Sequence, residues 1–219
     1  MRLVRAALFL VVAWCTCARP MAAAAREIKL YTHTACPFAQ RVWIALEATG
    51  LPFSKVDVDL YGSGGFDKTQ LKRVEAAGGL SPPKGYIPVL AIGDEVIRES
   101  SVCVERIAAL STEEAGATSL LPEEKERAAE LIAACNALPT RSSSRELSAL
   151  LRQCDEACAI SPYLAGGSFS IADACLLPFL QRVEDDIPSE LGRLRGYMGR
   201  MHADPAFSKT VMSSWWWWW

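Results

Sequence analysis

Strand-forming signals run out halfway along this chain. They recur between residues 27 and 98 and none returns after about Ser111, so a βα half must pack against a half made of helices alone. Ile28, Leu30 and Tyr31 predict a short strand, with residues 32–35 as a loop. A helix is expected to open around Cys36-Pro37, because proline suits a first turn where its missing N–H has no partner. Val42, Ala45, Leu46 and Thr49 give that helix an apolar stripe, and Gly50 followed by Pro52 stops it. Phe53, Val56 and Val58 predict a second strand, and residues 66–77 a second helix closed by Gly78-Gly79. Residues 87–92 and 95–97 flank Gly93-Asp94, a hairpin signal. Ser100 is expected to cap a helix that buries Val104, Ile107 and Leu110. The order β-α-β-α-β-β-α suits a thioredoxin-like domain, a mixed sheet with helices on both faces.

Beyond it, helices are expected over residues 123–138, 146–160, 171–183 and 189–201, the last capped by Ser189. Pro139 and a serine-rich loop at 142–144 separate the first two. Ser170-Ile171-Ala172-Asp173 has the form of a capping box, a structural device that closes orphan amides at a helix start. The predicted fold class is therefore α+β with two domains. A thioredoxin-like βαβαββα domain spans 26–111 and an all-helical domain 112–212. A targeting leader precedes them at 1–25, and a low-complexity tail follows at 213–219.

The leader reading rests on Arg2 and Arg5, the uncharged run over residues 6–17 and the four alanines at 22–25, the order of a secretory signal. It points to the secretory pathway or an organelle; the alternative is translation from Met21 and a cytoplasmic protein. No function is drawn from the five tryptophans at 215–219. Formal net charge is −2, and −5 without the leader, which gives no reason to expect a nucleic-acid partner. No apolar stretch within residues 26–212 approaches the roughly 20 residues of a membrane span, so a membrane partner is not expected. Of the eight cysteines, two lie in the leader and none forms a CxxC pair. Cys154 and Cys158 stand one helical turn apart with no histidine nearby, and are read as small buried apolar residues rather than metal ligands.

Cys36 is the candidate reactive residue. A thiol is a weak nucleophile until it ionises, and a helix start offers unpaired amides and the positive end of the dipole to a thiolate. Pro37 puts Cys36 at that end. Position 39 is Ala39, so no local partner resolves a disulfide at Cys36, and an outside thiol would have to clear it. His33 is close enough in sequence to act as a base, although an ordinary loop histidine is the plainer reading.

Residues 36–42, Cys-Pro-Phe-Ala-Gln-Arg-Val, resemble the first helix of the cysteine-type glutathione transferases, with the omega and lambda classes and the related dehydroascorbate reductases closest. Ile87-Pro88-Val89-Leu90, Arg98-Glu99-Ser100 and the stretch from Gly167 to Asp173 resemble later landmarks of that family, and the likeness covers roughly residues 27–205. The resemblance implies the glutathione transferase fold. Pro88 would be cis and would turn the Ile87 backbone to glutathione; Glu99 would take its ammonium, Ser100 its γ-glutamyl carboxylate, and Phe38 would border the same site. Such relatives often carry a lysine after the second strand, where this chain reads Tyr61-Gly62-Ser63-Gly64-Gly65. Lys68 is the candidate substitute, or the contact is missing.

The resemblance implies a glutathione-dependent thiol transferase or reductase that acts by deglutathionylation or dehydroascorbate-type reduction. Glutathione would be a cosubstrate, with no tightly bound cofactor or metal, and the acceptor a small molecule or a protein disulfide. The chain would be a monomer or homodimer. The competing reading is a non-catalytic glutathione transferase-like domain for ligand binding or assembly.

Overall fold

The computed structural model describes residues 26–138 and 144–211. The leader, residues 142 and 143 of the serine loop, and the tryptophan tail lie outside the described residues. Five strands, β1 (Ile28–Thr32), β2 (Ser54–Asp59), β3 (Phe66–Asp67), β4 (Val89–Ile92) and β5 (Glu95–Arg98), form one sheet in the order β3-β2-β1-β4-β5. β2 runs parallel to β1 and to β3, while β4 pairs antiparallel with both β1 and β5. The helices are α1 (Pro37–Thr49), α2 (Lys68–Ala77), α3 (Ser100–Glu113), α4 (Lys125–Ala137), α5 (Ser144–Ile160), α6 (Ile171–Arg182), α7 (Gly192–Ala203) and α8 (Pro205–Ser208). This is the thioredoxin-like half followed by the helical half that the strand signals predict.

Side chains on a strand alternate between faces, and here each face has its own core. Leu30 and Leu90 point into the large cluster shared with the helical half, whereas their neighbours Tyr31 and Val89 join a small cluster with Leu71 of α2. The large cluster runs unbroken from Ile28 and Val42 to Leu131, Cys154 and Leu176. Its centre is α1, which packs against α3, α6 and α8. That placement explains why α1 is buried nearly all round, Gln40 and Arg41 included, instead of along a single stripe. Gly50 closes it in a left-handed conformation (φ 71°) that a side chain would disfavour.

Several local expectations are corrected. The stretch expected as one helix from Phe66 begins with the two-residue strand β3, because Asp67 caps α2 through a reciprocal capping box with Gln70. The cap of α3 is Glu99 at φ 70°, and Ser100 is its first helical residue. The last long helix starts at Gly192 rather than near Ser189, since the Leu191 amide donates to the Pro188 carbonyl and spends those residues on a turn. A 3-10 turn at Glu184–Asp186 and the short α8 were not anticipated. Among the described residues no helix is long and apolar enough to cross a membrane.

Candidate active site

Ile87, Pro88, Glu99 and Ser100 sit at the ends of β4, β5 and α3, and with Phe38 of α1 they line one cleft of about 210 Å³. The Ile87–Pro88 bond is cis. Lys84, Tyr86 and Arg98 complete the cleft wall. Lys68 is not among these residues. It opens α2 as an exposed side chain, and its backbone carbonyl faces Gly85 instead. The cations that reach the cleft are Arg98 and Lys84, and the Lys84 ammonium lies 3.5 Å from Glu99 Oε1.

The loop carrying Lys84 is held from behind. Glu75 of α2 is fully buried and accepts the Gly85 N–H at 2.6 Å, with Arg98 3.8 Å from its other oxygen. Arg98 also donates to the Pro82 carbonyl at 2.8 Å. Gly85 has φ +67° and lies so close to the Lys68 carbonyl that an added Cβ would come within 3.0 Å of it. A side chain here would force the loop off α2.

Cys36 is the half-buried cap of α1, two residues before Phe38 and just outside the cleft lining. Its amide donates to the His33 carbonyl, and its carbonyl takes the first helical bond from Gln40. No full hydrogen bond closes onto the sulfur, but the Ala39 and Phe38 amides are near enough to favour a thiolate, as is the Arg182 guanidinium. Burial acts the other way and prevails, pushing the Cys36 thiol above its ordinary value. The helix start supplies the stabilising groups that the sequence predicts, yet the resting group is a thiol, because a half-buried sulfur loses more solvation than those groups restore. His33 accepts the Ala35 amide through Nδ1 and meets Tyr61 edge-on, so its ring is engaged within the loop. Burial raises the other described thiols as well. Burial pushes Cys103, Cys158 and Cys175 to about 12 and Cys154 well above its ordinary value.

Two features of the site depend on the far half of the chain, one a residue of that half and the other a residue of α1 whose partners lie there. Arg182, at the end of α6, donates through Nη2 to the Ala35 carbonyl at 3.2 Å and through Nη1 to Gln40 Oε1 at 2.9 Å. Arg41, one turn into α1, is only 1% exposed and has no carboxylate partner among the described residues. Its guanidinium donates to Asn136 Oδ1 at 2.7 Å and to Cys135 Sγ at 3.3 Å, and lies over the rings of Phe179 and Phe38. Its Nη1 also reaches the Ser100 hydroxyl at 3.5 Å.

A family model described as the glutathione S-transferase N-terminal domain matches residues 35–110, and its companion, the glutathione S-transferase C-terminal domain, matches residues 140–200. Together they account for more than half of the chain. The chain belongs to the glutathione S-transferase family.

Solved structures agree on the fold of this chain. A theta class enzyme from Xanthomonas axonopodis pv. citri, with glutathione bound, is 21% identical with a TM-score of 0.64, the alignment covering 87% of this chain and 99% of that one. A glutathione transferase from Methylococcus capsulatus is 26% identical, with a TM-score of 0.62 and coverage of 84% and 96%. Omega 1C from Trametes versicolor is 21% identical, with a TM-score of 0.67 and coverage of 85% and 92%. No curated protein sequence matches the chain. Sequence reasoning missed Lys84 and Arg182 for different reasons. Lys84 lies between two prolines and Gly85 in a stretch without periodicity, so nothing local aims it. Arg182 is 146 residues from Cys36, and only the fold brings them together.

Proposed function

We propose that this transferase is a glutathione-dependent thiol transferase of the cysteine type, with Cys36 as the attacking sulfur. The observation that carries the reading is the position of Cys36 at the cap of α1, beside a cleft whose wall holds Ile87, cis-Pro88, Glu99 and Ser100. An exposed carboxylate at Glu99 suits the γ-glutamyl ammonium, and Ser100 at the first turn of α3 suits its carboxylate. Lys84 stands on the same wall and suits a second carboxylate of the tripeptide. The Ile87 backbone would pair with its cysteinyl portion.

In the first half-reaction the Cys36 thiolate attacks the glutathione sulfur of a mixed disulfide. A Cys36–glutathione disulfide forms, and the acceptor leaves as a thiolate that takes up a proton. A second glutathione thiolate then attacks that disulfide, giving oxidised glutathione and free Cys36. Dehydroascorbate is a second acceptor of different chemistry: the Cys36 sulfur adds to its oxidised carbon, a first glutathione displaces ascorbate by forming the Cys36–glutathione disulfide, and a second glutathione releases oxidised glutathione and free Cys36. Since Cys36 rests as a thiol, turnover is expected to climb with pH above neutral.

The raised Cys36 thiol is also the one observation that favours the alternative, a domain that binds glutathione without catalysis. Intact and peptide mass spectrometry after incubation with oxidised glutathione separates the two. Adduct on Cys36, cleared by reduced glutathione and absent from Cys36→Ser, supports transfer. Glutathione binding with no adduct at Cys36 supports the alternative and ends the proposal.

A further inference from the structure

We infer that Arg182 is a positioning residue for Cys36, through which α6 fixes the loop before α1 and keeps a positive charge beside the reacting sulfur. The inference rests on reading Cys36 as the reacting thiol. It begins with a charge imbalance. Arg182 is half-buried, and no ion pair among the described residues gives it a carboxylate. A guanidinium keeps its proton, so this charge is permanent, and burying it without a counter-charge is unfavourable. Its bonds go to three neutral oxygens: the Pro178 carbonyl on its own helix, Gln40 Oε1 and the Ala35 carbonyl.

The Ala35 carbonyl belongs to the peptide unit that leads into Cys36. Held by Arg182, it cannot turn its negative end toward the sulfur, and the plane of that peptide fixes where Cys36 points. Gln40 clamps the arrangement, since its amide nitrogen donates to Gln181 Oε1 at 3.0 Å and to the Thr210 carbonyl at 3.2 Å. The guanidinium is thus braced from α1, α6 and the segment after α8. The anion that would balance its charge is absent while Cys36 is a thiol and present once Cys36 ionises, so the pairing favours the reactive form selectively.

The other charged groups packed around α1 are committed elsewhere. His33 is bonded within its loop, Arg41 lies over Phe179 and Phe38, and Lys209 after α8 pairs with Glu47 at the opposite end of the helix. Glu99, from the α3 side, faces Lys84. Among the described residues, Arg182 is the cation placed to favour a Cys36 thiolate, and a thiolate would in turn favour its charge.

The test uses the full chain without glutathione and follows iodoacetamide labelling of Cys36 by peptide mass spectrometry from pH 6 to 10. Arg182→Met and Arg182→Gln remove the charge; the glutamine keeps a donor for Ala35. Both are expected to label roughly tenfold more slowly than wild type at pH 8, with the whole profile displaced to alkaline pH. Arg182→Lys keeps the charge and is expected to stay within about threefold. Neutral variants that melt lower yet label with the wild-type pH profile would reduce Arg182 to a strut and overturn the inference. If neither neutral variant folds, Arg182→Lys decides: an unchanged profile supports the inference, and one displaced by tenfold or more overturns it. Labelling does not depend on glutathione. A wild-type protein that labels at Cys36 but takes no glutathione adduct would therefore sink the transferase proposal and leave this result standing.

Discussion

The Tyr197 hydroxyl donates to Asp173 Oδ1 at 2.8 Å in the interior of the helical half, where both side chains are fully buried. Asp173 also accepts the Leu164 and Ser170 amides and the Ser170 hydroxyl, so one carboxyl closes the start of α6 and anchors both α7 and the loop before it. Asp173→Ala would leave several buried donors without an acceptor. The expected cost is about 3–5 kcal/mol. That should lower the melting temperature by roughly 10 °C, and a loss under 1 kcal/mol in urea unfolding would contradict this role.

Desolvated thiols give the protein an alkaline limit. Cys103, Cys158 and Cys175 ionise near 12 in the fold, against roughly 8.5 in an unfolded chain. A group whose folded value is raised stabilises the fold fully below its unfolded value, and that stability drains away as pH rises toward the folded one. Under reducing conditions, stability should therefore hold up to about pH 8.5 and decline steadily above it. Replacing Cys175 by alanine should flatten the decline, and a urea midpoint unchanged between pH 8 and 10.5 would refute it.

The glycine-rich turn after β2 has an acid-side limit of its own. Asp59 accepts the amides of Tyr61, Gly62 and Gly64, which hold its carboxyl below the usual range. With a lowered folded value, the turn's order is present above the unfolded value of roughly 3.9 and is lost as pH falls through the folded one. Asp59→Asn should mimic that loss at neutral pH, read as faster amide exchange over residues 61–65. Equal exchange in the two proteins would show that the glycines hold the turn unaided.

Glu75 lies outside the cleft but holds the loop that carries Lys84. Glu75→Ala frees the Gly85 amide and one neighbour of Arg98, so glutathione should bind roughly tenfold more weakly by calorimetry. Glu75→Gln, which keeps an acceptor for Gly85, should recover most of that loss. Equal affinity in all three proteins would remove Glu75 from the account of the site.

Much of the fold was legible because its signals are local. Pro37 marks the start of α1, Gly50 its end, and the Gly93-Asp94 turn sets the hairpin of β4 and β5. Cys36, Phe38, Ile87, Pro88, Glu99 and Ser100 could be nominated from short motifs. What stayed hidden depends on distance through the fold. The cap at Asp67 turned an expected helical start into β3, and Glu99 took the capping position that a serine usually fills. No pattern in residues 36–42 announces that Arg41 is buried against α4 and α6, or that a guanidinium from α6 reaches back to Ala35. The burial that raises the Cys36 thiol is hidden for the same reason, since a helix start is visible in sequence and its depth is not.

Arg41 has a consequence for how the molecule comes apart. Its guanidinium finds its oxygen, sulfur and ring neighbours largely on helices of the second half, so either half alone would expose a charge or a socket made for one. Severing the chain between α3 and α4 should therefore yield two insoluble fragments instead of two miniature proteins. The intact molecule should melt in a single cooperative step, each half serving as the other's solvent.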